Sequence, residues 1–193
     1  MNGLLNPVVL LRLARQTISD PKGGAAFILG LRLPMPVLWQ FFLLQLVLSA
    51  ILKIIVFEVY PDPEAAMSSS TAISFTIVEG IIGIVLTVMI TQVGQRFGGT
   101  GDFAGALALV VWLQFILLLV SLVQLVVLMI VPPAADVITL FALALFFWLL
   151  AQFIQALHGF TSIGRVFLGI ALSLMALAFV FNILLGVLGI RVG

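Results

Sequence analysis

Glu79 places an acid where an acid is costly. It stands in Ile77-Val78-Glu79-Gly80-Ile81, inside an apolar run that spans residues 72–93 and about two turns from one end of it. Charge at the centre of a bilayer costs about 2.5–3.5 kcal/mol on insertion scales, so such a side chain faces the interior of a helix bundle. Two roles follow. As an ionisable centre, Glu79 would bind a proton, an ion or a polar substrate. As a structural group it would pair with a cation at matching depth, and Lys53, in the run that precedes it and returns antiparallel, is placed to supply one. The other course open to Lys53 is to snorkel outward unpaired. No second acid lies within the apolar runs, which weighs toward pairing.

The segment Gly98-Gly99-Thr100-Gly101-Asp102-Phe103-Ala104-Gly105 has the glycine spacing of a phosphate cradle. A dinucleotide fingerprint needs a preceding strand, and a P-loop needs its lysine; neither is here. The segment reads instead as a tight turn, with Asp102 capping the helix that follows. His158 stands alone ahead of Gly159, where it is expected at the interface, satisfying carbonyls at its own helix end. Nucleophilic catalysis would need an activated partner, and Ser162 or Thr161 nearby does not supply one. One histidine and no cysteine exclude a multi-histidine or thiolate metal site within the chain. No catalytic residue, metal or cofactor is assigned.

Gln40, Gln45, Gln92, Gln114, Gln124, Gln152, Gln155 and Asn182 form a thin scatter of amides that no one helix face collects. Their expected role is interhelical hydrogen bonding, worth about 0.6 kcal/mol each. Gly80 and Gly83 allow close approach of a neighbouring helix, and Gly94/Gly98 and Gly101/Gly105 have small-residue packing spacing across a turn. Trp39 and Tyr60 flank the first run as interfacial anchors, whereas Trp112 and Trp148 lie deeper and read as packing.

The elements that must hold these groups follow from composition. Of 193 residues, 64% are hydrophobic and 8% charged, with a mean hydropathy of +1.39. Soluble domains run near 45–50% apolar and about 25% charged. Lipid is the solvent for this chain. Eight Lys and Arg against seven Asp and Glu leave a net charge of +1, which is no footprint for nucleic acid. Five apolar runs, at about 36–57, 72–93, 104–131, 137–157 and 166–190, each reach the roughly 20 residues that a membrane-crossing helix needs. They lack the alternation of barrel strands, and in hydrocarbon the backbone must satisfy itself. The fold expected is all-α and membrane-integral: a five-helix transmembrane bundle over residues 36–193, preceded by a short amphipathic interfacial segment, residues 1–35. Pro132-Pro133 is expected to end the third span and Asp136 to cap the fourth.

In residues 1–35, Asn6-Pro7 and Asp20-Pro21 each read as an N-cap followed by proline at the first helical position. Leu10, Leu13, Ala14 and Ile18 fall on one face of the first helix, with Arg12, Arg15 and Gln16 opposite. That is the pattern of a helix lying in the headgroup region. Arg12, Arg15, Lys22 and Arg32 before the first span, Arg96 after the second and Arg165 before the fifth all fall on one side if the spans alternate. The positive-inside rule puts that side, and the N-terminus, in the cytoplasm, with the C-terminus periplasmic.

Three segments resemble the Yip family of Rab-interacting membrane proteins, in its bacterial branch. They are Ser19-Asp20-Pro21-Lys22 with Ala25-Ala26-Phe27, the turn Phe97-Gly98-Gly99-Thr100-Gly101-Asp102-Phe103 leading into Ala106-Leu107, and Gln152-Phe153-Ile154-Gln155-Ala156-Leu157-His158-Gly159-Phe160-Thr161. The resemblance implies five spans, a cytoplasmic N-terminus and residence in the bacterial inner membrane. Eukaryotic members bind prenylated Rab GTPases and one another. Only residues 1–35 precede the first span here, and Rab binding is not carried over to this chain. The expected function is that of a non-enzymatic membrane scaffold or accessory subunit. Its partners are the bilayer and either a second copy or another membrane protein. The competing reading is a small transporter or lipid-handling protein centred on Glu79.

Overall fold

A computed structural model describes residues 6–59, 69–164, 166–171, 173 and 175. Its elements in order are α1 (Pro7–Ser19), α2 (Pro21–Gly30), α3 (Met35–Val59), α4 (Ser69–Arg96), α5 (Phe103–Ile130) and α6 (Pro132–His158). Among the described residues there is no strand. Four helices are long and apolar enough to cross a membrane: Met35–Glu58, Thr71–Arg96, Phe103–Ile130 and Pro132–His158. The fifth expected span, 166–190, begins helically over 166–171, and most of its remainder lies outside the described residues, as do Tyr60, Arg165 and Asn182.

The local signals act as their chemistry dictates. Asn6 Oδ1 accepts the Val8 N–H at 2.9 Å, and Asp20 Oδ1 accepts the Gly23 N–H at 3.0 Å, each ahead of a proline whose missing N–H would have been an orphan. Asp102 Oδ1 accepts the Gly105 N–H at 2.8 Å and opens α5. The fourth span departs from expectation. Helix α6 starts at Pro132 itself, with Val131 as a cap that offers no side-chain bond, and Asp136 is an exposed residue inside the helix. Two consecutive prolines end α5 because they cannot continue it, but they suit the first turn of α6, where no N–H partner exists.

Helix α5 is the hub and packs against α2, α3, α4 and α6. The core gathers in one half of the bundle. It takes Ala106–Val110, Trp112, Leu113 and Ile116 of α5, Leu145, Leu149, Leu150, Phe153 and Leu157 of α6, and Ala25, Ile28, Leu38, Phe42 and Ile90 from their neighbours, whereas Trp148, expected to pack inside, is exposed on the outer face of α6. The other halves of α5 and α6 present Val123, Val126, Met129, Leu140 and Phe141 outward. Apolar helices gain no hydrophobic drive from meeting one another in lipid, so small residues and hydrogen bonds decide where they close.

The N-terminal segment is more than an interfacial float. Ala14 and Thr17 of α1 are buried, and Ile18, expected on the buried face, is exposed. Thr17 takes that place because its hydroxyl is satisfied twice over. It donates to Leu13 O at 2.8 Å and accepts the Trp112 indole N–H at 3.1 Å. Trp112 is therefore a polar fastener between α1 and α5 as well as a packing residue. Arg12, Arg15, Lys22 and Arg32 are all exposed, and Arg32 takes a left-handed φ of 45° in the connection from α2 to α3.

Candidate functional site

Two polar centres are built into the described helices. The first lies between α3 and α4. On α3 the buried stripe Leu38, Phe42, Gln45, Ser49 and Leu52 repeats at three- and four-residue spacing and so shares one face. Lys53 stands one turn beyond Ser49 at the edge of that stripe. On α4 the matching face carries small residues, among them Ala72, Gly80, Gly83 and Thr87. A methyl group on Gly80 would lie 2.9 Å from Leu46, and one on Gly83 would lie 2.9 Å from both Phe42 and Gln114. Both glycines therefore set how closely α3 and α5 approach α4.

That approach brings the expected pair together. Lys53 Nζ forms an ion pair with Glu79 Oε2. Ser49 Oγ donates to the same carboxylate oxygen at 2.7 Å and accepts from Lys53 Nζ at 2.7 Å, so the three side chains close a triangle. Below them, Gln45 Nε2 donates to the Gln114 carbonyl at 2.9 Å. Gln45, Ser49 and Lys53 recur every four residues, so one face of α3 carries a polar row of which only Gln45 is an amide. Helix α4 begins at Ser69, three residues earlier than the apolar run, which places Glu79 about 15 Å from that end at 1.5 Å per residue. The pair is not sealed: the Lys53 and Glu79 side chains are 29% and 32% exposed.

The second centre is His158, the last residue of α6, which is 3% exposed. Its Nδ1 accepts the Gly101 N–H at 3.1 Å, and its Nε2 lies 3.0 Å from Ile90 O. A ring nitrogen that accepts leaves the other to donate, so the arrangement defines a neutral imidazole carrying its proton on Nε2. The carbonyl it satisfies belongs to α4, not to the end of its own helix. Phe160 stacks on the ring at 5.4 Å between centroids.

The glycines of the turn are explained by the same ring. A methyl group on Gly94 or Gly99 would overlap the imidazole, and one on Gly101 would come within 2.8 Å of it. Gly98, at φ 84°, faces open space and turns the chain, Thr100 is exposed, and Gln95 Nε2 holds the turn by donating to Gly101 O at 2.8 Å. The Gly94/Gly98 and Gly101/Gly105 spacings thus serve a histidine cradle; Gly105 closes on Leu157. Helix α4 leads into the turn and Asp102 caps the helix that follows it, which agrees with its reading as a structural device. Among the described residues, no three His, Asp or Glu side chains stand close enough to hold a metal ion.

Of the sequence candidates, the structure unites Lys53 with Glu79, and the glycine turn with His158. The basic residues Arg12, Arg15, Lys22 and Arg32 sit apart from both, on and beside α1 and α2, with no ion pair among the described residues. Ser49, Thr17 and Gln95 carry contacts the sequence reading missed. The four-residue spacing of Ser49 from Lys53 was the available signal.

A helical, multi-pass membrane protein with a polar seam and a histidine-locked glycine turn is what these observations define. The Yip1 domain model matches residues 15–184, and the chain belongs to that family. No match was found among curated proteins or among solved structures. Two of the segments that carried the resemblance, the glycine turn and residues 152–161, are far apart in sequence and meet at the His158 ring.

Proposed function

We propose that this Yip1-domain protein is a non-enzymatic scaffold or accessory subunit that works by lateral helix packing with other chains in the bilayer. In this reading the protein has five spans, the fifth being 166–190, and sits in a bacterial inner membrane with its N-terminus cytoplasmic and its C-terminus periplasmic. The observation that carries it is the Lys53–Glu79 pair, held deep in the apolar length of α3 and α4 yet about one-third exposed. Hydrocarbon cannot hydrogen-bond the outer side of such a pair, whereas a protein surface can. The exposed residues Phe75 and Ile82, one turn to either side of Glu79 on α4, frame it with apolar side chains suited to helix packing.

Purification in mild detergent after cross-linking in the native membrane tests this. The expected product is a complex that contains the chain and at least one further protein chain; a strictly monomeric, partner-free species contradicts it.

A second reading, a transporter or lipid-handling protein centred on Glu79, draws on the run of polar groups Gln45, Ser49, Lys53, Glu79 and Gln114. It predicts that Glu79→Gln abolishes a flux or lipid movement in vesicles. Loss of thermal stability alone would make Glu79 structural.

A further inference from the structure

We propose that the face carrying Lys53 and Glu79 is closed by a second copy of this chain, related by a twofold axis along the membrane normal. The inference rests on the reading that protein covers this face, and it names the protein.

The charge layout is self-complementary. Lys53 and Glu79 lie on adjacent antiparallel helices, so the line from cation to anion runs across the α3–α4 groove, perpendicular to the helix axes. A twofold axis parallel to the helices and in front of the groove reverses that line. Each lysine then meets the carboxylate of the other copy, and the four charges alternate in sign around the axis. Closed twofold contacts of this kind use one patch on both chains.

Both groups have bonding capacity left for it. The ammonium has three donors, and two go to Ser49 and Glu79. Both bonds that Glu79 receives from described residues fall on Oε2, and none of those residues reaches Oε1, the oxygen assigned here to the other copy. Phe75 and Ile82 of α4, one turn to either side of Glu79, are exposed beside the pair, and Ala50 and Phe57, three and four residues from Lys53, are partly exposed on its side of α3. Two such faces in contact form an up-down four-helix arrangement, α3 against α4 of the other copy in both directions, with the charges at its centre and apolar side chains at its rim. Attraction between charges is far stronger in that setting than in water.

The test uses the full chain in vesicles of phosphatidylcholine and phosphatidylglycerol, with energy transfer between two fluorescently labelled populations reporting association. The unaltered chain is expected to self-associate. Lys53→Glu or Glu79→Lys alone puts four like charges at the axis and weakens association at least about tenfold. Mixing the two variants restores it, because one contributes two carboxylates and the other two ammonium groups. A monomeric unaltered chain, or a mixture that associates no better than each variant alone, overturns the inference.

A second measurement leaves the pair intact. The chain has no cysteine, so Ile82→Cys in one population mixed with Ala50→Cys in another is expected to form a disulfide between two copies, because α4 of one faces α3 of the other, and Leu140→Cys, on the exposed outer half of α6, is not. Absence of the Ile82→Cys product overturns the dimer, as does its reaction with a cysteine placed within residues 176–193. Capture of a different protein in its place also overturns the dimer while leaving the covered-face reading standing; capture of nothing overturns both.

Discussion

His158 and the Lys53–Glu79 pair are both polar groups set among apolar helices, but their surroundings differ in kind. Around His158 every polar atom of the ring is matched, three glycines make room for it, and 3% of the residue is exposed. Around Lys53 and Glu79 the described residues match the polar atoms on one side only, and about a third of each side chain remains open. The difference separates two uses of polarity in lipid. A buried group with every bond made fixes one arrangement of α4, the turn and α6, because any other leaves donors and acceptors bare. A half-matched charged pair fixes α3 against α4 and still presents a demand to whatever lies beside them.

The largest effect should come from the closed centre. His158→Ala removes a buried ring and leaves the Gly101 N–H unpaired, which should cost about 3 kcal/mol, seen as an earlier thermal unfolding transition in detergent. Gly99→Val, which forces a side chain into the ring, should do comparable damage, whereas Gly98→Asn should be tolerated because that position is open and left-handed. If Gly99→Val matched the unaltered chain in stability, the cradle would be wrong.

The open centre should answer more mildly. Lys53→Met strands Glu79 and should lower stability by about 1–2 kcal/mol, well below the effect of breaking a sealed pair, because the side chains are partly exposed. The double change Lys53→Met with Glu79→Leu should recover most of that loss. A double variant no better than the single one would show that the two residues are not coupled. The smallest effect belongs to the fastener between α1 and α5: Thr17→Val strands the Trp112 indole N–H and should cost about 1 kcal/mol, read as increased protease access to α1.

How far the sequence disclosed these two regions follows the range of the forces involved. Four of the five expected spans and most of their boundaries were legible because hydropathy and cap residues act locally, and the start of α6 was misjudged because Pro132-Pro133 serves as a stop for one helix and a start for the next. The Lys53–Glu79 pair was legible because a charge in lipid narrows the choice of partners to almost nothing. His158 was not, since its partners Ile90 and Gly101 are brought near only by the packing of α4 and α6. A polar residue at a helix end reads as interfacial until the glycines opposite it are seen to make space for a ring. On α1, hydropathy favoured Ile18 for the buried face, but Thr17 could reach Trp112 and Ile18 could not offer a hydrogen bond.

The central claim, that protein rather than lipid lies against the Lys53–Glu79 side, is tested most directly by photo-crosslinking in the intact membrane. A photoreactive residue at Ile82, beside the pair, is compared with one at Leu140; both positions are exposed in the isolated chain. The account predicts protein adducts from Ile82 and none from Leu140. Lipid adducts alone from Ile82, indistinguishable from those at Leu140, would contradict it.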